Sequence, residues 1–177
     1  MTEWGREAAP TDGIETPRLD LGADGVAARA AGVAVFHNRI VAYPGRDVGG
    51  SNAPISRMVG PDSRRVGTWG AAIVDGLDPR EDELVLDQVR MSAFSGTSLD
   101  VMLRDLGVTD VVVGVWTNTA VEHTVRDVAD HGYRVTVVSD ATSSLDDDRQ
   151  QAALGYALTN TATSAATVAA ALLSAGR

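Results

Sequence analysis

The stretch SAFSGTSLDVMLRDLGVTDVVVGVWTNTAVEHTVRDVADHGYRVTVVSD, Ser92 to Asp140, switches hydrophobic period three times. Leu99, Met102, Leu103 and Leu106 recur at helical spacing, and Gly107 supplies the usual stop, so a helix is predicted there. VVVGVW, Val111 to Trp116, is apolar without alternation, the pattern of a strand buried on both faces. In TNTAVEHTVRDVADHG, Val121, Val125 and Val128 mark a second helical face, and RVTVVSD, Arg134 to Asp140, predicts a second buried strand. Strands of this kind alternating with helices require a parallel sheet covered by helices on both sides.

Working outward, the same alternation continues. Ala23 to Ala31 is alanine-rich and suits a short helix ending at Gly32, and GVAVFHNRIVAY, from Gly32, predicts a buried strand. Glu83 to Asp87 predicts a short strand after a turn at Asp78-Pro79. Gln150 to Ala157 and Thr167 to Ser174 read as helical. Pro44 to Arg65 carries many Gly, Pro, Ser and Asp without a period and reads as a loop or lid. Residues 1 to 23 are polar, punctuated by Gly and Pro, and contain no four-residue apolar run, the composition of a flexible arm. The expected organisation is that arm followed by one α/β domain over residues 24 to 177, a single three-layer domain with a mostly parallel sheet. A chain of 177 residues is long enough for one such core and buries roughly 70% of its unfolded surface.

Composition removes much chemistry. All 15 basic residues are Arg, and there is no Lys and no Cys. A cysteine nucleophile, a lysine base, a Schiff-base lysine, a P-loop lysine, a disulfide and a thiolate metal site are therefore excluded for these residues. The net charge of −9 argues against binding of nucleic acid, which rewards a basic face. No run approaches the ~18 apolar residues of a membrane span, and no apolar signal segment opens the chain, so a cytoplasmic protein without membrane contact is expected. No cofactor motif is present, and no metal site is expected. Asp146-Asp147-Asp148 before a helix reads as a solvated cap rather than a cation site.

In open parallel α/β sheets, ligands bind beyond the carboxyl ends of the strands. Three strand ends qualify: Phe36-His37-Asn38-Arg39, Asp87-Gln88-Val89-Arg90 and Gly114 to Ala120. The third carries the most information, because a tight strand-to-helix turn leaves backbone N–H groups unpaired and aimed at whatever sits above it. In acyl transfer such a turn supplies an oxyanion hole, with the nucleophile on the same turn.

At these residues the sequence resembles the isochorismatase-like hydrolases, or cysteine hydrolases, which include nicotinamidases, N-carbamoyl amidases, ureidoacrylate hydrolases and isochorismatases. The resemblance covers about residues 24 to 160. Ser92 to Ala141 follows the family blocks S-x-F-x-G-T-x-L, G-V-x-T-N-x-C-V-x-x-T-x-R, G-Y and D-A in order, and Gly67-Thr68 with Ala71 to Leu77 is similar to G-T-x-G-A-E-I-V-x-x-L. The resemblance implies the isochorismatase-like hydrolase fold. It also implies a catalytic Asp closing the first strand, a Lys six residues before the S-x-F phenylalanine, and a Cys on the turn. Here Gln88 stands at the Lys position, Phe94 is the S-x-F phenylalanine, Ala120 stands at the Cys position, and no apolar strand precedes Asp20 or Asp24. Isochorismatase-type members also carry a small residue at the Cys position and an aromatic at the Trp116 position, but keep the Asp and Lys. The family is usually dimeric or tetrameric, so a homo-oligomer is expected, with the small-residue segment Ala162 to Ala175 suited to close packing.

The residues then take expected roles. Trp116 suits stacking on a planar substrate, or core packing at a strand end. Gln88 can orient a carbonyl-bearing substrate or simply fill space. His37 is a candidate general acid or base, against a structural role, and Glu122 a candidate replacement acid, against the helix N-terminal role acids usually have. Thr117 and Thr119 read as turn and cap residues, since no base can be named to activate them. Thr117, Asn118, Thr119, Ala120, Phe94 and Arg39 complete the expected substrate pocket. Two functions follow: a small-metabolite enzyme acting without a cysteine nucleophile, by positioning and acid-base or polar stabilisation of a hydrolysis, elimination or cyclisation, or a non-catalytic relative that binds a ligand or forms oligomers.

Overall fold

The computed structural model describes residues 21–45, 53–55 and 64–175. Helix α1 (Leu21–Ala30) leads into strand β1 (Phe36–Ile40), and β2 (Leu84–Gln88) follows after a long connection. Next come α2 (Leu99–Asp105), β3 (Asp110–Trp116), α3 (Glu122–Asp130) and β4 (Arg134–Ser143). The chain closes with α4 (Asp147–Ala152), β5 (Thr163–Ala165) and α5 (Val168–Ala175).

Every strand pairing among the described residues is parallel. β1 lies against β2 from Phe36 opposite Leu84 to Ile40 opposite Gln88. β4 lies between β3 and β5, with Val111 opposite Val135 and Val137 opposite Ser164. The helices cover this second sheet on both faces, as the uninterrupted apolar strands require. On one face Leu99 and Leu103 of α2 and Val125 and Val128 of α3 pack on Val135 and Val137, together with Phe94 and Tyr133. On the other, Val138 and Ala141 meet Val168 and Ala171 of α5, with Ala27 and Ala28 of α1 beside them.

The predicted elements are all present, with shifts that have local causes. The strand expected from Gly32 pairs only over Phe36–Ile40, because its partner β2 is itself five residues long. Helix α4 starts before the expected Gln150 because the Asp146 carboxylate accepts the Arg149 backbone N–H at 2.8 Å and caps it. β5, Thr-Ser-Ala, is too short and polar to show as a strand in sequence. The expected arm lies outside the described residues up to residue 20, and its last part, from Leu21, is helical rather than extended. Most of the expected lid over Pro44 to Arg65 also lies outside them, although Ala42 and Arg65 form a parallel bridge at its end.

One difference is larger. In place of a single sheet, the described strands form two, β1-β2 and β3-β4-β5. β3 is also irregular: pairing with β4 shifts between Val113 and Val115. Gly114 passes so close to β4 that a Cβ there would stand 2.8 Å from the Ala141 carbonyl oxygen. Val115 takes a φ of 119°, a left-handed conformation that costs a β-branched residue about 1–3 kcal/mol and persists only where its surroundings impose it.

Candidate functional site

A cavity of about 490 Å³ opens between the two sheets and reaches the carboxyl ends of β2 and β3. At that end its wall is made by Gln88, Met91, Phe94, Trp116, Thr119 and Ala120. Five of the ten sequence-predicted site residues, Gln88, Phe94, Trp116, Thr119 and Ala120, are therefore brought to one cavity.

The turn that places three of them is a π-helical one. The chain leaves β3 at Trp116, winds once through Thr117–Val121 with the wide spacing of a π turn, and continues as α3. Single π turns occur often at functional positions because they displace side chains from the regular helical rows. The first N–H groups of a helix lack intrahelical acceptors, and here those groups belong to the turn that carries Thr119 and Ala120. Ala120 contributes a methyl group and no reactive atom. Trp116 donates its indole N–H to the Asn118 side-chain oxygen at 3.1 Å, which fixes the ring plane at the mouth of the cavity.

Gln88 is the buried polar residue at the base of this end. Its amide nitrogen donates to the carbonyls of Arg90 at 3.0 Å and Met91 at 3.2 Å. Those two acceptors leave the Oε1 atom as the free end, and it is buried with no hydrogen-bond partner among the described residues. An unpaired buried acceptor costs free energy until a donor meets it. This end of the cavity thus rewards a ligand N–H or O–H opposite Gln88. Phe94 closes the wall behind it, its ring 4.9 Å from that of His131 and 6.1 Å from that of Tyr133.

Other expected site residues are placed elsewhere. His37 is buried, but it occupies the second position of β1 rather than its carboxyl end, and it does not line the cavity. Its Nε2 lies 2.9 Å from the Glu83 carboxylate, which also accepts from Arg29 at 2.7 and 2.8 Å and from the Arg80 backbone N–H at 3.0 Å. The Arg29 guanidinium holds the Glu83 carboxyl well below the usual carboxylate range. The period-2 alternation of the strand sends the His37 side chain into this ionic cluster and away from the cavity where an acid-base role was expected. Arg39 is likewise drawn away, paired with Asp87 one strand over. Glu122 is paired with Arg126 at 2.9 Å on the surface of α3 and also lies off the cavity, the ordinary place for an acid in a first helical turn. Thr117 is fully buried beneath the turn, and Asn118 reaches the site only through the Trp116 ring.

Thr124, Arg64 and Asn38 are polar lining residues to which the sequence pattern assigns no site role. Thr124, one helical turn beyond Ala120, accepts the Ala93 backbone N–H at 3.1 Å and ties the S-x-F segment to α3. Arg64 is a buried arginine at the wall, in the segment read as loop. Asn38 lines the cavity with a buried, unpartnered Oδ1. A polar residue at the centre of an apolar strand was the available signal for Asn38.

Residues 26–169 match the family model described as the isochorismatase domain. Among curated proteins, the ureidoacrylate amidohydrolase RutB of Agrobacterium fabrum is 38% identical over 91 residues, 51% of this chain and 40% of that protein. The chain thus spans about two fifths of the length of this relative. Among solved structures, an isochorismatase family protein from Desulfovibrio vulgaris superposes with a TM-score of 0.74 at 27% identity, covering 89% of this chain and 83% of that one. N-carbamoylsarcosine amidase from Thermoplasma acidophilum superposes with a TM-score of 0.64 at 28% identity, covering 81% and 79%.

Proposed function

The chain belongs to the isochorismatase family, and from that premise we propose that it binds a small, planar, carbonyl-bearing metabolite at the carboxyl ends of β2 and β3. It acts there by positioning and polar stabilisation, without a cysteine nucleophile. One observation carries this reading: Ala120, Trp116 and the unpaired oxygen of Gln88 share the wall of one cavity at a strand-to-helix turn. A carboxamide or ureido group fits those features. Its N–H groups satisfy Gln88, its carbonyl faces the N–H groups of the turn, and its plane lies on Trp116. The relatives support that class, since those named above include a ureidoacrylate amidohydrolase and an N-carbamoylsarcosine amidase. With no thiol, water held against the polarised carbonyl adds to its carbon, the C–N bond breaks, and the nitrogen leaves as ammonia or an amine carrying a proton from that water.

A second reading is favoured by a specific finding, the removal of His37 and Glu122 from the cavity. In it the chain binds the same class of ligand and does not turn it over. The two are separated by incubating native protein with small-metabolite extracts and with a panel of primary amides and ureido acids, and following substrates and products by mass spectrometry. Consumption beyond the molar amount of protein, reduced at least tenfold by Trp116→Ala and by Gln88→Leu, is the expected result. Depletion that stops at one equivalent supports the binding reading, and full activity in both variants refutes the site.

A further inference from the structure

Gln88 can offer an acceptor to a ligand only while its own amide nitrogen is held. That nitrogen faces the carbonyls of Arg90 at 3.0 Å and Met91 at 3.2 Å, and a carbonyl accepts without donating, so the oxygen of the side-chain amide cannot take its place there. The amide group is planar, and fixing both N–H groups sets the direction of Oε1. The aim of the acceptor is therefore decided by where the Arg90 and Met91 carbonyls stand.

Residues 89–92, which carry those carbonyls, lie outside any strand or helix. At one end the segment leaves β2, where the Gln88 carbonyl accepts the Val41 N–H at 2.9 Å. At the other end the Ala93 N–H donates to the Thr124 hydroxyl oxygen at 3.1 Å, in a buried bond between the loop and α3. Two further bonds tie the loop to itself: the Phe94 N–H donates to the Ser92 hydroxyl at 3.2 Å, and the Thr97 hydroxyl donates to the Ala93 carbonyl. They stiffen the turn without relating it to α3. Packing of Phe94 in the apolar cluster is non-directional, whereas the Thr124 bond fixes one backbone group to one atom of the helix.

Thr124 is 8% exposed and stands inside α3, where Val would fill the same space. What the hydroxyl adds is the acceptor, since Val would leave the Ala93 N–H buried and unpaired.

We propose that Thr124 is a positioning residue for this end of the cavity: by holding the Ala93 N–H it places the Arg90 and Met91 carbonyls, and through them it aims Gln88 Oε1 at a ligand donor. Without that bond the Gln88 amide is free to rotate by half a turn, and the wall then presents N–H groups in place of an acceptor. The placement is a property of the free protein, while its consequence for ligand choice rests on the substrate reading above.

The experiment uses the full chain, uniformly labelled with 15N, and follows side-chain amide exchange with water by nuclear magnetic resonance. Gln88→Leu identifies the Gln88 signals, and Gln150, whose Nε2 donates to the Thr142 carbonyl at 3.1 Å, is the internal control. In the parent the Gln88 Nε2 protons should exchange at least tenfold more slowly than those of the exposed Gln151. Thr124→Val should raise the Gln88 rate at least tenfold and leave Gln150 unchanged, and Thr124→Ser, which keeps the acceptor, should stay within threefold of the parent. Equal acceleration at Gln88 and Gln150 means general loosening and overturns the proposal, as does an unchanged Gln88 in Thr124→Val or a failure of Thr124→Ser to preserve it. Should Thr124→Val not fold, the parent still decides: the Ala93 amide and the Gln88 Nε2 protons should accelerate in parallel over low urea, and independent responses overturn the coupling. A second arm compares binding of a primary amide with that of its N,N-dimethyl analogue, which lacks the donor. The preference for the primary amide should fall at least fivefold in Thr124→Val and hold in Thr124→Ser, and a preference kept in Thr124→Val overturns the proposal. If no amide binds, the substrate reading fails, and the Gln88 signals alone decide the role of Thr124.

Discussion

The two sheets of the molecule are held by different interactions. In β3-β4-β5 the buried residues are Val135, Val137, Val138 and Ala141, packed on apolar helices from both sides, with the polar Thr142 and Ser143 at the carboxyl end of β4. In β1-β2 the buried residues are His37 and Gln88, while Leu84 and Val85 are 44% and 38% exposed. There the ties are to carboxylates: Arg29 pairs with Glu83, which also meets the His37 ring, and Arg39 pairs with Asp87. Phe36 and Leu86 do reach the larger apolar cluster, but from its margin. Apolar burial is non-directional and tolerates small movements, whereas ion pairs need fixed geometry and depend on pH. A sheet beside a cavity keeps its position more cheaply by such directional ties than by burial it cannot complete.

The largest effect is expected in the apolar sheet. Leu158 is 2% exposed and packs in the cluster with Val135 and Val137, so Leu158→Ala should cost about 3 kcal/mol, independent of pH between 5 and 8, in urea denaturation. A loss below about 1 kcal/mol would mean that this half is as loosely packed as the other. Next is Glu83→Gln, which removes the charge that Arg29 and His37 share and should cost about 2 kcal/mol at pH 7. Because the folded carboxyl titrates below its ordinary value of 4.5, its contribution is complete above that value and fades as the pH falls below it. The variant and the parent should therefore converge in stability on acidification below about 4.5, and a constant gap would show that the charge is not what ties β1 to β2. The smallest effect is expected at Asp146→Ala, outside both sheets, where loss of the α4 cap should cost about 1 kcal/mol by the same denaturation assay. If that change equals the loss at Glu83, the ionic ties of the small sheet are worth no more than a surface cap.

Legibility in the sequence followed the same division. Val111 to Trp116 and Arg134 to Asp140 read as buried strands because their valines fall on both faces rather than on one. The helical stripes of α2 and α3 were legible for a similar reason. Gln88, Trp116 and Ala120 were found because the strand-end rule and the family blocks point to the same turn. His37 was misplaced because a strand end cannot be located within a run such as FHNRIVAY, and a shift of three residues moves a side chain from the carboxyl end to the interior and across to the other face. Glu122 was a matter of rotation about a helix: one residue beyond the turn, its side chain already faces Arg126 and solvent.

By itself the sequence determined the family, the parallel α/β arrangement, the lack of Cys and Lys among these residues, and the strand-to-helix turn that borders the cavity. These depend on residue type and on near-neighbour spacing, which the chain carries openly. Only the tertiary structure decided that Glu83, 46 residues from His37, would claim it, that Gln88 would keep one oxygen unpaired among the described residues, and that the described strands would form two sheets. Those outcomes depend on which distant groups meet when the layers close, and on which backbone groups find no partner, neither of which is written in local pattern.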